Sequence, residues 1–424
     1  MEKKDARASY EHEIQQNLKR NTVLSFADGA IFSFAMGMAP IGTTIVYYVG
    51  NFTDSKVIIG LLTTLYNLMF YTPQIFLAKK LQKLDYYKPL SLTLGILMRI
   101  VWLILGILTF LLGKSNPTLY LVLFYILLSF LGIVSGFNSD VWLVLTSRIV
   151  PANRFSDFLS WRSSLCGILE FTGAIISGAI LSLSTFPDNY GILFIVMFAI
   201  SMVSWFLYTK LLEPKNIIKK TAKLDNNTYF KDTIGILKKD KNFSIYLASN
   251  ALTGGLGKMS LVFQIIYAKD KLAITTQEAV FVSTILLIMQ TVGYILWGIV
   301  VKRKGIKIAG DISVLLFIPA ILLTLWMPNV YILYLAVACM GLAQSYKNSN
   351  ENKLLIDLSP SEEELPNYIG LRNTLLGPFF SFNSLIAGLI LDATNFAFLT
   401  ILSVVFMTIG ILLFIFKLNV RENI

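Results

Sequence analysis

The sequence predicts an all-α polytopic membrane protein, with twelve transmembrane helices in two pseudo-symmetric six-helix bundles. Three observations carry that expectation. Apolar residues make up 55% of the 424 positions and charged residues 14%, against about 25% charged in ordinary soluble proteins, and mean hydropathy is +0.67. The apolar residues cluster in segments near the roughly 20 residues that cross a bilayer core of about 30 Å. Lysine and arginine then collect on alternate connecting segments.

Taken in order, a polar tail over residues 1–21 leads into spans at 22–49, 57–78, 90–112, 118–147, 158–184 and 190–212. These six form the N-terminal bundle, 22–212. A polar linker follows at 213–241, where Phe230, Ile234 and Leu237 fall at i, i+4 and i+7, with Lys231, Asp232, Lys238 and Lys239 facing away. That pattern suits a short helix lying on the membrane surface or a solvated linker. The C-terminal bundle, 242–417, holds spans at 242–268, 277–301, 310–327, 330–355, 367–391 and 396–417, and a tail covers 418–424. Backbone groups in hydrocarbon must be satisfied within the segment, and these spans are too long and too evenly apolar for barrel strands of about ten alternating residues. The first span follows a polar tail and has no small-residue cleavage pattern, so it is expected to persist in the mature chain.

Charge sets the orientation. With both termini inside, the inner segments carry 30 of the 36 Lys and Arg residues and the outer loops four, Lys56, Lys114, Lys269 and Lys271. Arg99 and Lys258 lie within spans. This is the positive-inside pattern, expected of a multi-pass protein of a bacterial inner membrane with cytoplasmic termini. The same pattern accounts for the net charge of +11, so no nucleic-acid partner is needed.

The sequence also excludes functions. Cys166 and Cys339 are too few and too deep for a disulfide framework. His12, the only histidine, sits in the tail, which removes the commonest metal ligand and general base. TGGLGKMS at 253–260 lacks the first glycine of a phosphate loop, because Leu252 stands in its place. No enzyme, metal or cofactor is expected.

The chain repeats. SWRSSLCGILEFTGAIISGAIL from residue 160 lies over GLRNTLLGPFFSFNSLIAGLIL from residue 370, pairing Arg162 with Arg372, Gly167 with Gly377 and Gly178 with Gly388. Pro151 and Pro360 precede the two copies, and the halves open on Arg20-Asn21 and Lys241-Asn242. Secondary transporters are built from such repeats and place their substrate between them.

On these features the sequence resembles the major facilitator superfamily. The family's loop signature, roughly Gly-x-x-x-Asp-Arg-x-Gly-Arg-Lys, is met between spans 8 and 9 by GIVVKRKGIK, through Gly298, Arg303, Gly305 and Lys307, with Lys302 at the acid and Ile306 at an arginine. The first-half version, AKKLQKLDYYK, keeps little beyond Lys83. Either copy would anchor a tight cationic turn at an anionic leaflet. The resemblance implies a cavity lined by spans 1, 4, 7 and 10, hence by Asp28, Asn138, Asp140, Asn250, Lys258, Gln344 and Asn348.

Ionisable residues inside spans mark a pathway, a partner or a proton site. Glu170 lies about 18 Å along span 5, and two readings stand: a carboxyl that takes up and releases a proton, or a protonated glutamate bonded to a neighbouring helix. Arg162, about 6 Å along, reads with Arg372 as an anchor or an inner gate contact. Asp28, Arg99 and Asp140 share a depth of roughly 10 to 14 Å, which predicts at least one Asp-Arg pair, structural or gating. Lys258 could neutralise an anionic substrate, pair with Glu170 or snorkel.

The reading is a secondary active transporter moving a small organic solute by alternating access, coupled to protons and monomeric. Export of an amphipathic or hydrophobic compound is favoured. Uptake of a sugar or organic anion, and a non-transporting membrane binding or assembly protein of the same fold, are the alternatives. An even number of spans predicts that reporters fused after residue 21 and at the C-terminus are both protected in right-side-out vesicles; reporters on opposite faces would refute the twelve-span plan.

Overall fold

The structure, a computed structural model, describes residues 2–72, 84–215, 235–360 and 365–419. Every regular element among them is helical. Nine stretches are by themselves long and apolar enough to cross a membrane. Of these, Thr276–Trp326 joins spans 8 and 9 across a kink, and the shorter apolar helix Lys56–Tyr71 is span 2. Span 7 is present in pieces. The twelve expected spans therefore all have helical counterparts. Large side chains such as Leu111, Val122, Ile126, Phe206, Ile401 and Leu412 stand exposed along them, as suits faces solvated by lipid.

The first helix begins at Glu2 and runs to Gly37, so the tail expected over 1–21 continues span 1. No proline interrupts that stretch, and a helix without a breaker extends past the apolar segment. Of the linker, residues 216–234 lie outside the described residues, as do 73–83 with most of the first loop motif, and 420–424 of the C-terminal tail. Residues 235–239 are helical, and Ile236 and Leu237 pack against the core around Phe243, Tyr246 and Tyr368.

The chain divides into two compact units, residues 1–40 with 69–222, and residues 41–68 with 223–424. Residues 41–68, read from sequence as part of the first bundle, thus pack with the second unit. Thr44 and Ser283 share a hydrogen bond of 3.1 Å, the Tyr47 hydroxyl donates to Ile274 O at 3.1 Å, and Thr63 donates to Ser384 at 2.6 Å.

In the first unit, Lys88–Leu112 (span 3) lies against Pro117–Ile149 (span 4) and Asp188–Tyr208 (span 6), and the first helix lies against Ala152–Leu181 (span 5). Spans 1 and 5 cross at two glycines. A Cβ on Gly37 would come within 1.9 Å of Glu170 O, and one on Gly173 within 2.0 Å of Phe34 O. Small residues let transmembrane backbones approach this closely.

The repeat is visible in three dimensions. Near the start of span 1, Asn21 donates to Leu212 O at 2.9 Å and accepts from Leu212 N at 3.0 Å. At the start of span 7, Asn242 donates to Asn419 O and accepts from Asn419 N at 2.9 Å. The paired asparagines that open the two halves thus clamp the backbone following the last helix of their own half. Each supplies a donor and an acceptor to chain that has left its helix.

Both opening spans are broken. Span 1 stops at Gly37, passes Pro40, and resumes as a π-turn at Ile41–Ile45 and a helix at Val46–Val49; proline has no N–H to continue the ladder. Span 7, expected as one helix over 242–268, runs Lys241–Asn250, a π-turn at Ala251–Gly255, a 3-10 turn at Leu256–Lys258, then Met259–Val262 and Gln264–Leu272. Gly254, Gly255 and Gly257 supply the reason: each costs a helix roughly 0.8 to 1 kcal/mol relative to alanine.

Spans 8 and 9 meet at Gly305, whose φ of 83° and ψ of 164° are nearly confined to glycine. Gly298, by contrast, has open space where a Cβ would go. Gly305→Ala is accordingly expected to destabilise the purified protein by ~1 to 3 kcal/mol, read as a lowered thermal midpoint. Gly298→Ala should leave it unchanged or slightly raised. Equal effects of the two substitutions would show that backbone conformation is not what the motif's second glycine provides.

Candidate functional site

In the first unit, a charged network joins spans 1, 3, 5 and 6. Arg99, 6% exposed, donates to Ser201 O at 2.6 Å, Gly95 O at 2.7 Å and Ser204 Oγ at 2.8 Å, with its guanidinium 5.0 Å from the Phe32 ring centre. Ser204 in turn donates to Asp28 Oδ1 at 2.6 Å. Asp28 and Arg99 are therefore linked through a hydroxyl. The direct ion pair of Asp28 is with Arg162, at 3.9 Å.

The Arg162 guanidinium also donates to Ser25 O at 3.2 Å and lies 4.6 Å from the centre of the Trp142 ring. It fills the space where Gly29 lacks a side chain, since a Cβ there would come within 2.5 Å of Nη2. Arg162 is thus a partner of span 1, in a place where a snorkelling anchor had been the other reading.

The remaining first-half residues stand apart from this network. Asn138 accepts from Ser91 Oγ at 3.0 Å, and Ser91 shares a 2.9 Å hydrogen bond with the Tyr208 hydroxyl. Asp140 and Glu170 are half-buried, and neither forms a hydrogen bond or ion pair with another described residue. Glu170 sits at the glycine crossing of spans 1 and 5. A carboxyl within a span costs at least ~2.5 kcal/mol by insertion scales, and here no protein group offsets it.

The second unit holds a small cavity lined by Tyr246, Asn250, Lys258, Lys347, Glu351 and Phe317 among others. The broken stretch of span 7 forms one wall, with Thr253, Gly254 and Lys258 all lining it. Lys258 donates to Gln344 Oε1 at 2.5 Å, Gln344 donates to Asn348 Oδ1 at 2.8 Å, and Asn348 donates to the Tyr294 hydroxyl at 3.3 Å. Four of the residues read from sequence thereby fall together: Asn250 and Lys258 line the cavity, and Gln344 and Asn348 extend from Lys258.

Arg372 pairs with Glu351 through a short contact, and Glu351 also accepts from the Tyr246 hydroxyl at 2.9 Å. Both carboxylate oxygens are thus occupied. Lys347, four residues before Glu351 on Val330–Leu358 (span 10), lies 4.5 Å from the Phe380 ring centre. Lys347, Glu351 and Tyr246, with Ser204 in the first unit, are site residues that the sequence reading did not single out. Lys347 had been counted among the inner-side cations. The signal was available in KNSNE, where Lys347 and Glu351 stand one helical turn apart.

The loop motif serves the turn between spans 8 and 9. Lys307 pairs with Asp311, donates to Phe414 O at 2.7 Å and lies over the Phe414 ring. Arg303 is exposed. Asp311 gives the motif lysine a carboxylate from the helix it opens, although the motif's own acid position holds Lys302.

No curated protein matches the chain. Among solved structures, a mutant of the nucleoside transporter NupG has a TM-score of 0.70 at 15% identity, covering 94% of this chain and 100% of its own. The xylose transporter XylE from E. coli gives 0.68 at 11% identity, over 96% and 99%. A bacterial homologue of the iron transporter ferroportin gives 0.64 at 14% identity, over 94% and 98%. At such identities the likeness is one of fold. The family model of the Major Facilitator Superfamily matches residues 28–267 and 247–423, almost the whole chain, and this integral multi-pass membrane protein belongs to that family of transporters.

Proposed function

We propose that the chain is a proton-coupled secondary active transporter that moves a small organic solute by alternating access, with both termini on the cytoplasmic side of a bacterial inner membrane. The observation that carries the coupling is Glu170, a carboxyl inside a span with no partner among the described residues. Such a group is least costly when protonated and ionises when its surroundings become wet. Its backbone lies at the crossing of spans 1 and 5, where Gly37 rests on Glu170 O, so movement between those spans shifts the residue that carries the carboxyl. Asp140, also inside a span, likewise has no hydrogen-bond or ion-pair partner among the described residues. The Asp28, Ser204 and Arg99 network, joined by hydrogen bonds, is read as structural, and Arg162 as its link to span 5.

For the solute, the sequence favours an amphipathic or hydrophobic compound for export. The cavity's lining is mixed, with the Asn250 amide, the Tyr246 phenol, the Lys258 and Lys347 ammonium groups and the Glu351 carboxylate beside Val314, Phe317, Leu354 and Phe414; its polar groups favour the other reading, a small metabolite, because buried groups of that kind discriminate against ligands that leave them unpaired.

Reconstituted protein given an imposed pH gradient is expected to accumulate a radiolabelled polar solute. Glu170→Gln should abolish gradient-driven accumulation, a loss of at least tenfold, while solute exchange at equal pH on both sides continues. Unchanged accumulation by the variant would remove Glu170 from coupling, and loss of exchange as well would make its role structural.

A further inference from the structure

We propose that the cavity of the second unit is an oxyanion site, and that the solute is a small organic anion bearing carboxylate or phosphate, held between Lys258 and Lys347. This deepens the transport reading and rests on it. The two lysines come from separate spans and line one cavity. No carboxylate among the described residues forms an ion pair with either of them. Glu351 lines the same cavity and acts on both lysines through space, but its oxygens are bonded to Arg372 and the Tyr246 hydroxyl, and it forms no ion pair with either lysine.

What the protein provides for the two cations is weak. Lys258 has the amide oxygen of Gln344 and the face of Phe317, with Nζ 4.3 Å from the ring centre. Lys347 has the face of Phe380. An ammonium carries three donors, so each retains hydrogen-bonding capacity. Two like charges in one cavity repel, and a group that brings negative charge between them relieves both at once.

The local backbone is shaped for this approach. Gly254 lies in the broken stretch of span 7, and a Cβ there would come within 2.5 Å of Lys347 Nζ and 2.8 Å of the Phe380 ring. Its missing side chain is what lets Lys347 reach the cavity wall beside Lys258. Irregular backbone inside a membrane is tolerated where it lines a cavity, and transporter sites recur at such interruptions. Asn250, the last residue before the break, adds an amide for a hydroxyl or a second oxygen of the ligand. The arrangement also argues against a metal cation as cargo, which the two ammonium groups would repel.

The test compares matched probes on the purified full-length protein: succinate with succinamide, and glycerol 3-phosphate with glycerol. Thermal stabilisation across a concentration series measures binding. At least one anion is expected to bind ten times or more tightly than its neutral counterpart, and comparison of the two anions assigns carboxylate or phosphate. Lys258→Gln and Lys347→Gln should each lower anion affinity at least tenfold, and Lys258→Arg should restore part of it. Gly254→Ala, which keeps both lysines and displaces Lys347, should weaken binding while the protein stays monodisperse.

Binding of neutral probes as tightly as anions, no binding of either anion, or glutamine variants that bind anions like the parent would each overturn the proposal. Flux of the same probes into liposomes separates this from the transport reading. Anions that bind and are not moved leave the site standing and remove transport. Neutral solutes moved while anions are ignored do the reverse.

Discussion

In hydrocarbon no water is at hand to satisfy a charge, so every ionised side chain inside a span must find its partners in the protein, in the solute or in a proton. The two units meet that constraint differently. Arg99 is supplied with three oxygen acceptors and an aromatic face from its own unit, and Glu351 is closed off by a guanidinium and a phenol. Groups so completely bonded are held in one arrangement, and breaking either set leaves a buried charge uncompensated, at a cost of roughly 3 to 5 kcal/mol. Glu170 and Asp140 in one unit, and Lys258 and Lys347 in the other, lack such closure. Stability alone would not retain them.

The repeat shows how one backbone plan acquired two chemistries. Asn21 and Asn242 make the same two-bond clamp in their respective units, which is a structural requirement of the fold and is kept in both. Arg162 and Arg372 also occupy equivalent positions, and each lies against a residue of the fourth helix of its own half. In the first unit that residue is Trp142, met ring to guanidinium; in the second it is Glu351, met as an ion pair. The change has a consequence for charge. Arg162 is left to pair with Asp28 on span 1, whereas Arg372 pairs with Glu351 beside the cavity, and the two lysines there feel Glu351 only through space.

Much of this was legible in the sequence because membrane solvation is read segment by segment. Spans 3, 4, 6 and 12 fall within a few residues of their expected bounds, since apolar length decides them. The breaks in spans 1 and 7 were not anticipated, although Pro40 and the three glycines of TGGLGK are their cause, because hydropathy sums over a window and is blind to backbone preference. Lys347 was missed for a related reason. A lysine near the basic end of a span counts as an anchor by position, and only the path of its side chain, past a glycine on another helix, shows that it turns inward. Ser204 carried no signal either: a serine in an apolar span is ordinary until an arginine and an aspartate are found on either side of its hydroxyl.

The opposite characters of the two sets of unpartnered groups bear on how coupling could arise. A carboxyl in hydrocarbon is least costly when it holds a proton, whereas an ammonium pair is least costly when an anion lies between them. On the proposed reading, each unit would then be relieved by a different species, a proton in the first and the solute in the second. Coupling requires that the states stabilised by the two be the same, for a ligand shifts an equilibrium only by its differential affinity for the two conformations. The broken helices that open each half supply the pliable element. Because Gly37 lies just before the break in span 1 and rests on Glu170 O, while Lys258 closes the break in span 7, each interruption lies beside one of these groups within its own unit.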